Sequence, residues 1–270
     1  MRKALLLLTG VMLMLAAGFS LAQTATTVTV GAGAWMPGYS WVYTGNQKGM
    51  DDFKLGNASY FGPYLAINQG RLNFGASMLI GTLKADDQDY AWEGLEAKRT
   101  DLNFTLGYRI LSTTSVSGNV FAGLKYIKED QTADSWYWEG FDVNTGEAMW
   151  WYDVYDATVS GIMYGAGVSL VVPFGSSNVY AYGSMAYLLG TLKTENNLNS
   201  TDINPNGYSS WDTEDDTHLF AMTLGLGYRF PSGFGLNLGF RGDLYGNKAS
   251  DEIDYAQRLS GLVLNASYTF

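Results

Sequence analysis

The sequence contains no cysteine. That excludes a disulfide framework, a thiolate metal site and a lipid anchor carried on a mature amino-terminal cysteine. Proline is scarce, with five in 270 residues, and there is a single histidine. Beyond residue 22 no apolar run approaches the ~20 residues that a membrane-spanning helix needs. Positive charge is short as well: 16 Lys and Arg stand against 26 Asp and Glu, a net charge of −10. Such a chain lacks the basic footprint that a phosphate backbone requires, so nucleic acid is not an expected partner.

Glycine is abundant, with 33 residues, and aromatic side chains make up 15% of the chain. Glycine weakens helices, Tyr and Phe favour strands, and no helical periodicity is visible, so the expected class is all-β. At the start, Arg2 and Lys3 precede an apolar stretch over residues 4–17 and the small-residue sequence Ser20-Leu21-Ala22. This predicts a secretory signal peptide over residues 1–22, cleaved before Gln23. Residues 23–270 are then expected to form one domain, with a net charge of about −12 once Arg2 and Lys3 are gone. No separate peptidoglycan-binding domain is expected after it.

The stretch LGLGYRFPSGFGLNLGFRGDLY over residues 224–245 sets the pattern. Leu224, Leu226, Tyr228, Phe230, Phe234, Leu236, Leu238 and Phe240 fall on one face. Gly225, Gly227, Arg229, Gly235, Asn237, Gly239, Arg241 and Asp243 fall on the other. A Pro-Ser-Gly turn separates two strands of period two. About ten such segments are predicted, near 26–36, 58–68, 71–83, 98–111, 116–128, 157–172, 178–192, 218–230, 234–247 and 258–270. Short turns alternate with long connections, roughly 37–57, 84–97, 129–156, 193–217 and 248–257. The long ones carry the acid, including Asp51, Asp86, Glu129, Asp153, Asp212 and Asp251.

An even strand number, with short turns at one end and long loops at the other, is the pattern of an outer-membrane barrel. The expected fold is a closed antiparallel up-and-down transmembrane β-barrel of about ten strands, with short periplasmic turns and long extracellular loops. Its oily stripes, such as Leu262, Leu264, Ala266, Tyr268 and Phe270, face lipid. Aromatic residues near the short turns (Tyr108, Phe174, Tyr228, Phe230, Phe234, Tyr268) suit a headgroup belt. The enclosed stripe would line the lumen with Asp101, Arg109, Lys125, Arg229, Arg241 and Asp243.

The signal peptide, the even strand number and the final Tyr268-Thr269-Phe270 resemble the small outer-membrane β-barrel proteins of Gram-negative bacteria. That resemblance implies export through the secretory pathway to the cell outer membrane. It also implies contact with the lipid bilayer and lipopolysaccharide, and recognition by the outer-membrane insertion machinery through Phe270. Asp87-Gln88-Asp89-Tyr90 in the second long loop and Asp216-Thr217-His218 in the fourth are similar to motifs of the omptins, ten-stranded outer-membrane proteases. The similarity implies that Asp87 and Asp89 would face an Asp216–His218 dyad and activate a water for peptide hydrolysis. Here, however, the Asp-x-His motif abuts the eighth strand, and His218 shares parity with Phe220 and Met222, an outward position.

Trp136, Tyr137, Trp138, Trp150 and Trp151 in the third long connection could stack on sugars or anchor a protein. The reading favoured is strand extensions whose aromatics form the outer-leaflet girdle. No Asp-x-Asp-x-Asp-Gly calcium loop is present, and Gly31, Gly33, Gly165 and Gly167 lie in strands with no helix following, so neither a metal nor a cofactor is expected. The functional expectation is a non-enzymatic integral barrel with an envelope-structural or surface-interaction role through acidic, aromatic-rich loops. A narrow channel or small-solute porin is the first alternative, and an omptin-like aspartyl endopeptidase the second. No extracellular ligand is named by the sequence.

Overall fold

A computed structural model describes residues 26–43, 53–85, 93–141, 148–200, 208–248 and 254–270. The signal-peptide reading of residues 1–22 and the acids Asp87 and Asp89 lie outside them. The described residues form ten strands and no helix: β1 (Thr26–Tyr43), β2 (Phe53–Gln69), β3 (Leu72–Ala85), β4 (Glu93–Ser112), β5 (Ser117–Phe141), β6 (Ala148–Pro173), β7 (Val179–Ser200), β8 (Tyr208–Arg229), β9 (Phe234–Lys248) and β10 (Asp254–Thr269). Each strand pairs antiparallel with its neighbours in sequence, and β1 pairs with β10, so the sheet closes on itself. Closure gives the strands' backbone N–H and C=O groups partners within the sheet, the condition for crossing hydrocarbon without helices.

Alternation decides which way each side chain points. On β10, Leu262, Leu264 and Tyr268 are exposed on the outer wall, while Leu259 and Val263, of the opposite parity, are buried inside. The same holds for Leu224, Leu226 and Leu238 outside against Leu219 and Asp243 inside. Exposed Leu, Ile, Val, Phe and Tyr recur on all ten strands. In water so large an apolar surface would drive aggregation, whereas lipid is its natural solvent.

The short turns use local chemistry. Gly70, Gly175 and Gly233 adopt φ of 59°, 58° and 90°, which only glycine holds without strain. The fourth turn has no such glycine. There the Thr113 hydroxyl accepts from the backbone N–H of Ser115 and Val116, at 3.3 and 3.0 Å.

At the other end the strands run further than their alternation predicts. Some 9–11 residues suffice to cross a bilayer, yet β5 and β6 have 25 and 26 and β7 and β8 have 22 each. Much of the stretches read as long loops over 129–156 and 193–217 is therefore ladder. There the outer face carries exposed charged side chains such as Lys128 and Asp130, so the apolar stripe fades while strand pairing continues. Lys193 bridges Glu195 at 2.8 Å and Asp212 at 2.9 Å in that region. Trp136, Tyr137 and Trp138 stand opposite Tyr152, Trp151 and Trp150 in the β5–β6 register, in strand backbone rather than loop. Their side chains lie outside the described set.

At several seams the backbones approach too closely for any side chain. A Cβ added at Gly165 or Gly190 would collide with the carbonyl of Tyr187 or Ile162 across the β6–β7 seam. Gly62 and Gly81 are as crowded across β2–β3, against the carbonyls of Met78 and Ser59. β4 and β5 face β9 closely enough for side chains to meet across the lumen.

Candidate functional site

Where the two walls meet, three cations and three carboxylates form one buried cluster. Lys125 on β5 places its Nζ 2.9 Å from Asp101 Oδ2 on β4 and 2.9 Å from Asp243 Oδ2 on β9. Arg241 donates to both oxygens of Asp243, Nε to Oδ1 at 3.0 Å and Nη2 to Oδ2 at 2.7 Å. This is the fork geometry that suits guanidinium to carboxylate. Arg99 spends each nitrogen on a different partner: Nε donates to Asp101 at 2.8 Å, Nη1 to Glu129 at 3.2 Å and Nη2 to the Tyr245 hydroxyl at 2.5 Å. The formal charge of the six sums to zero, which is how such a group tolerates removal from water.

Aromatic rings frame the ions. The Arg241 guanidinium lies 4.2 Å above the Trp35 ring, and the Arg99 guanidinium and the Lys125 ammonium lie 5.0 and 5.7 Å from the Tyr245 centroid. Trp35 in turn packs on Tyr60, with ring centroids 5.5 Å apart. The remaining cross-section is apolar: Met163, Leu188, Leu219, Leu259, Ile127 and Leu83 are all buried in the same cluster of contacts. Ions, rings and aliphatic chains together make a septum across the lumen. A ten-stranded barrel leaves an interior only somewhat wider than side chains can fill.

Four of the lumenal residues expected from sequence, Asp101, Lys125, Arg241 and Asp243, are thus brought into one cluster. The other two, Arg109 and Arg229, face the lumen near the short turns and do not join it. Arg99, Glu129, Tyr245, Tyr60 and Trp35 were missed as members. Glu129 reads in sequence as a loop acid, but it sits inside the barrel, four residues along the same face as Lys125. Arg99 lies two residues from Asp101, and Tyr245 two from Asp243. Extending the parity of the recognised residues by one step would have found both.

The omptin-type constellation is not assembled in the described residues. Parity puts Asp216 and His218 on the outer wall. His218 stacks on Tyr187 with centroids 6.2 Å apart, and Asp216 accepts from the Thr191 hydroxyl at 3.3 Å. Neither looks over the barrel mouth. Among the described residues no group of three or more His, Cys, Asp or Glu is placed to hold a metal ion.

By architecture, then, this is a ten-stranded barrel of the outer-membrane type. Comparison with solved structures agrees. The outer membrane protease OmpT from Escherichia coli superposes with a TM-score of 0.55 at 11% identity, over 91% of this chain and 96% of that one. At that identity the likeness is one of fold alone. The translocator domain of autotransporter NalP from Neisseria meningitidis gives a TM-score of 0.44 at 12% identity, over 99% of this chain and 96% of that one. The Pseudomonas putida toluene transporter TodX gives 0.41 at 9%, over 93% and 90%. Both are too distant to carry an argument. No protein-family model matches the chain, and no curated protein sequence does.

Proposed function

We propose that the chain is an integral protein of the bacterial outer membrane, exported by its leader. Its sealed barrel serves the envelope through its outer end, as a surface or structural element rather than a catalyst or a solute pore. The observation that carries this reading is the septum. A neutral, mutually bonded cluster, almost wholly buried among aromatic and aliphatic side chains at mid-barrel, supports a closed lumen. The outward position of Asp216 and His218 argues against an omptin-type hydrolytic centre. The apolar outer wall supports contact with bilayer and lipopolysaccharide, and the exposed terminal Phe270 supports recognition by the insertion machinery. The long-loop end, where the acids and the clustered tryptophans fall, is the part left to meet a ligand outside the cell.

Conductance tests the reading. Folded protein reconstituted in planar bilayers is expected to pass no discrete current at moderate salt. Regular single-channel openings from protein shown to be folded by heat-modifiable migration would overturn the sealed-lumen reading in favour of a channel.

A further inference from the structure

Between the septum and the short turns the lumen opens into a cavity of about 380 Å³. Its lining includes Asn103, Thr105, Thr223, Asn237 and Asn265, with Arg241 at the septum end. The volume lies in the range of small-molecule sites, and the polar groups converge from β4, β8, β9 and β10. The Tyr180 hydroxyl donates to Asn237 Oδ1 at 2.5 Å, which leaves the Asn237 amide N–H groups for another acceptor.

Two further observations give the cavity a sign. From the level of Asp101 and Asp243 down to the short turns, no other Asp or Glu occurs in any strand or turn. Arg109 and Arg229 face this half of the lumen, and among the described residues neither has a carboxylate partner. Arg229 has only the Tyr180 ring, 5.8 Å away. Outside the cavity's own lining, the same half of the lumen holds buried polar atoms without partners: Arg109 Nε, Asn119 Oδ1 and the Tyr182 hydroxyl. The Tyr182 hydroxyl lies over Gly225 and Gly239, the latter between Asn237 and Arg241 on the same face of β9. Natural proteins seldom leave buried polar atoms unpaired without a use for them.

We propose that this lower lumen is a binding site for a small hydroxylated organic anion of the size and chemistry of a sugar acid, entering from the short-turn side. Unpaired guanidinium groups draw the anion in, and amides and hydroxyls hold its hydroxyl groups. The sealed end makes the cavity a cup rather than a passage, so the proposal rests on the sealed-lumen reading for its shape but not for its chemistry.

The test is isothermal titration of the folded barrel in detergent micelles with glucuronate, and with glucose as the uncharged control. Glucuronate is expected to bind, with glucose weaker by about tenfold or more, the size of one lost charge-assisted contact. The paired variant Arg109→Gln/Arg229→Gln, at the water-facing mouth, is expected to weaken glucuronate by a similar factor. Ser77→Phe, which fills the cavity, is expected to abolish binding; should it not fold, the arginine variant alone decides. Absence of glucuronate binding to wild type, equal affinity for glucose, or indifference to loss of both arginines would each overturn the proposal. Current through the barrel with glucuronate binding retained would instead remove the sealed-lumen reading and leave the site standing.

Discussion

Replacing Lys125 by methionine removes one ammonium from the septum and keeps most of its volume. In the wild type the Lys125 Nζ stands 2.9 Å from a carboxylate oxygen of each of Asp101 and Asp243, with side chains 2%, 3% and 0% exposed. The two oxygens can therefore be no further apart than twice that distance. Without the cation between them, two like charges about 5 Å apart repel by about 3 kcal/mol at an effective dielectric of about 20. The variant also leaves a net charge of −1 buried. Breaking a buried pair on one side typically costs about 3–5 kcal/mol, and that is the expected loss in urea unfolding of the micelle-embedded barrel. The double variant Lys125→Met/Asp101→Asn restores neutrality, leaving the pairs Arg99–Glu129 and Arg241–Asp243, and should recover about half of the loss or more. A single variant within about 1 kcal/mol of wild type, or a double variant no more stable than the single, would refute the electrostatic account of the septum.

Three other outcomes follow from the geometry. Leu264→Arg puts a cation on the lipid face near the middle of β10, and should cost about 2–4 kcal/mol in vesicle-embedded unfolding. Gly165→Ala forces a methyl against the Tyr187 carbonyl across the β6–β7 seam and should cost about 1–3 kcal/mol in the same assay. His218→Ala, which removes a side chain from the outer wall, should leave a basic reporter peptide as intact as wild type does, measured by mass spectrometry. Cleavage by wild type that the variant lost would restore the protease reading.

The barrel could be read from the sequence because lipid outside and enclosure inside impose opposite demands on alternate residues. Leu224 to Phe240 displays that opposition with little noise. It blurs in two places. Towards the long-loop end, as in Lys193-Thr194-Glu195-Asn196-Asn197, the outer face is polar as well and the residues resemble loop, although their backbone continues the ladder. At mid-barrel the inward face is itself partly apolar, so Met163, Leu219 and Leu259 break the rule that polar means inside. Parity placed Asp101, Lys125, Arg241 and Asp243 in the lumen but could not say which would touch. Lys125 and Asp243 are 118 residues apart, and Arg99 and Tyr245 are 146 apart. Contacts across a lumen depend on the shape of the closed barrel, which no local pattern of residues records.

One ladder differs from the other nine. Each of those joins strands adjacent in sequence, so they can be added a hairpin at a time at small entropic expense. The β1–β10 seam ties the chain's beginning to its end: Thr29 and Thr269 share a hydroxyl hydrogen bond at 2.9 Å across 240 residues, and the Phe270 N–H donates to the Val28 carbonyl at 2.9 Å. Until that stitch forms, a growing sheet carries two raw rims of unpaired amide and carbonyl groups, which hydrocarbon penalises by several kcal/mol each. Completion is consequently all-or-nothing. Losing β10 would not yield a slightly narrower cylinder but an open ribbon with no place to rest inside a bilayer.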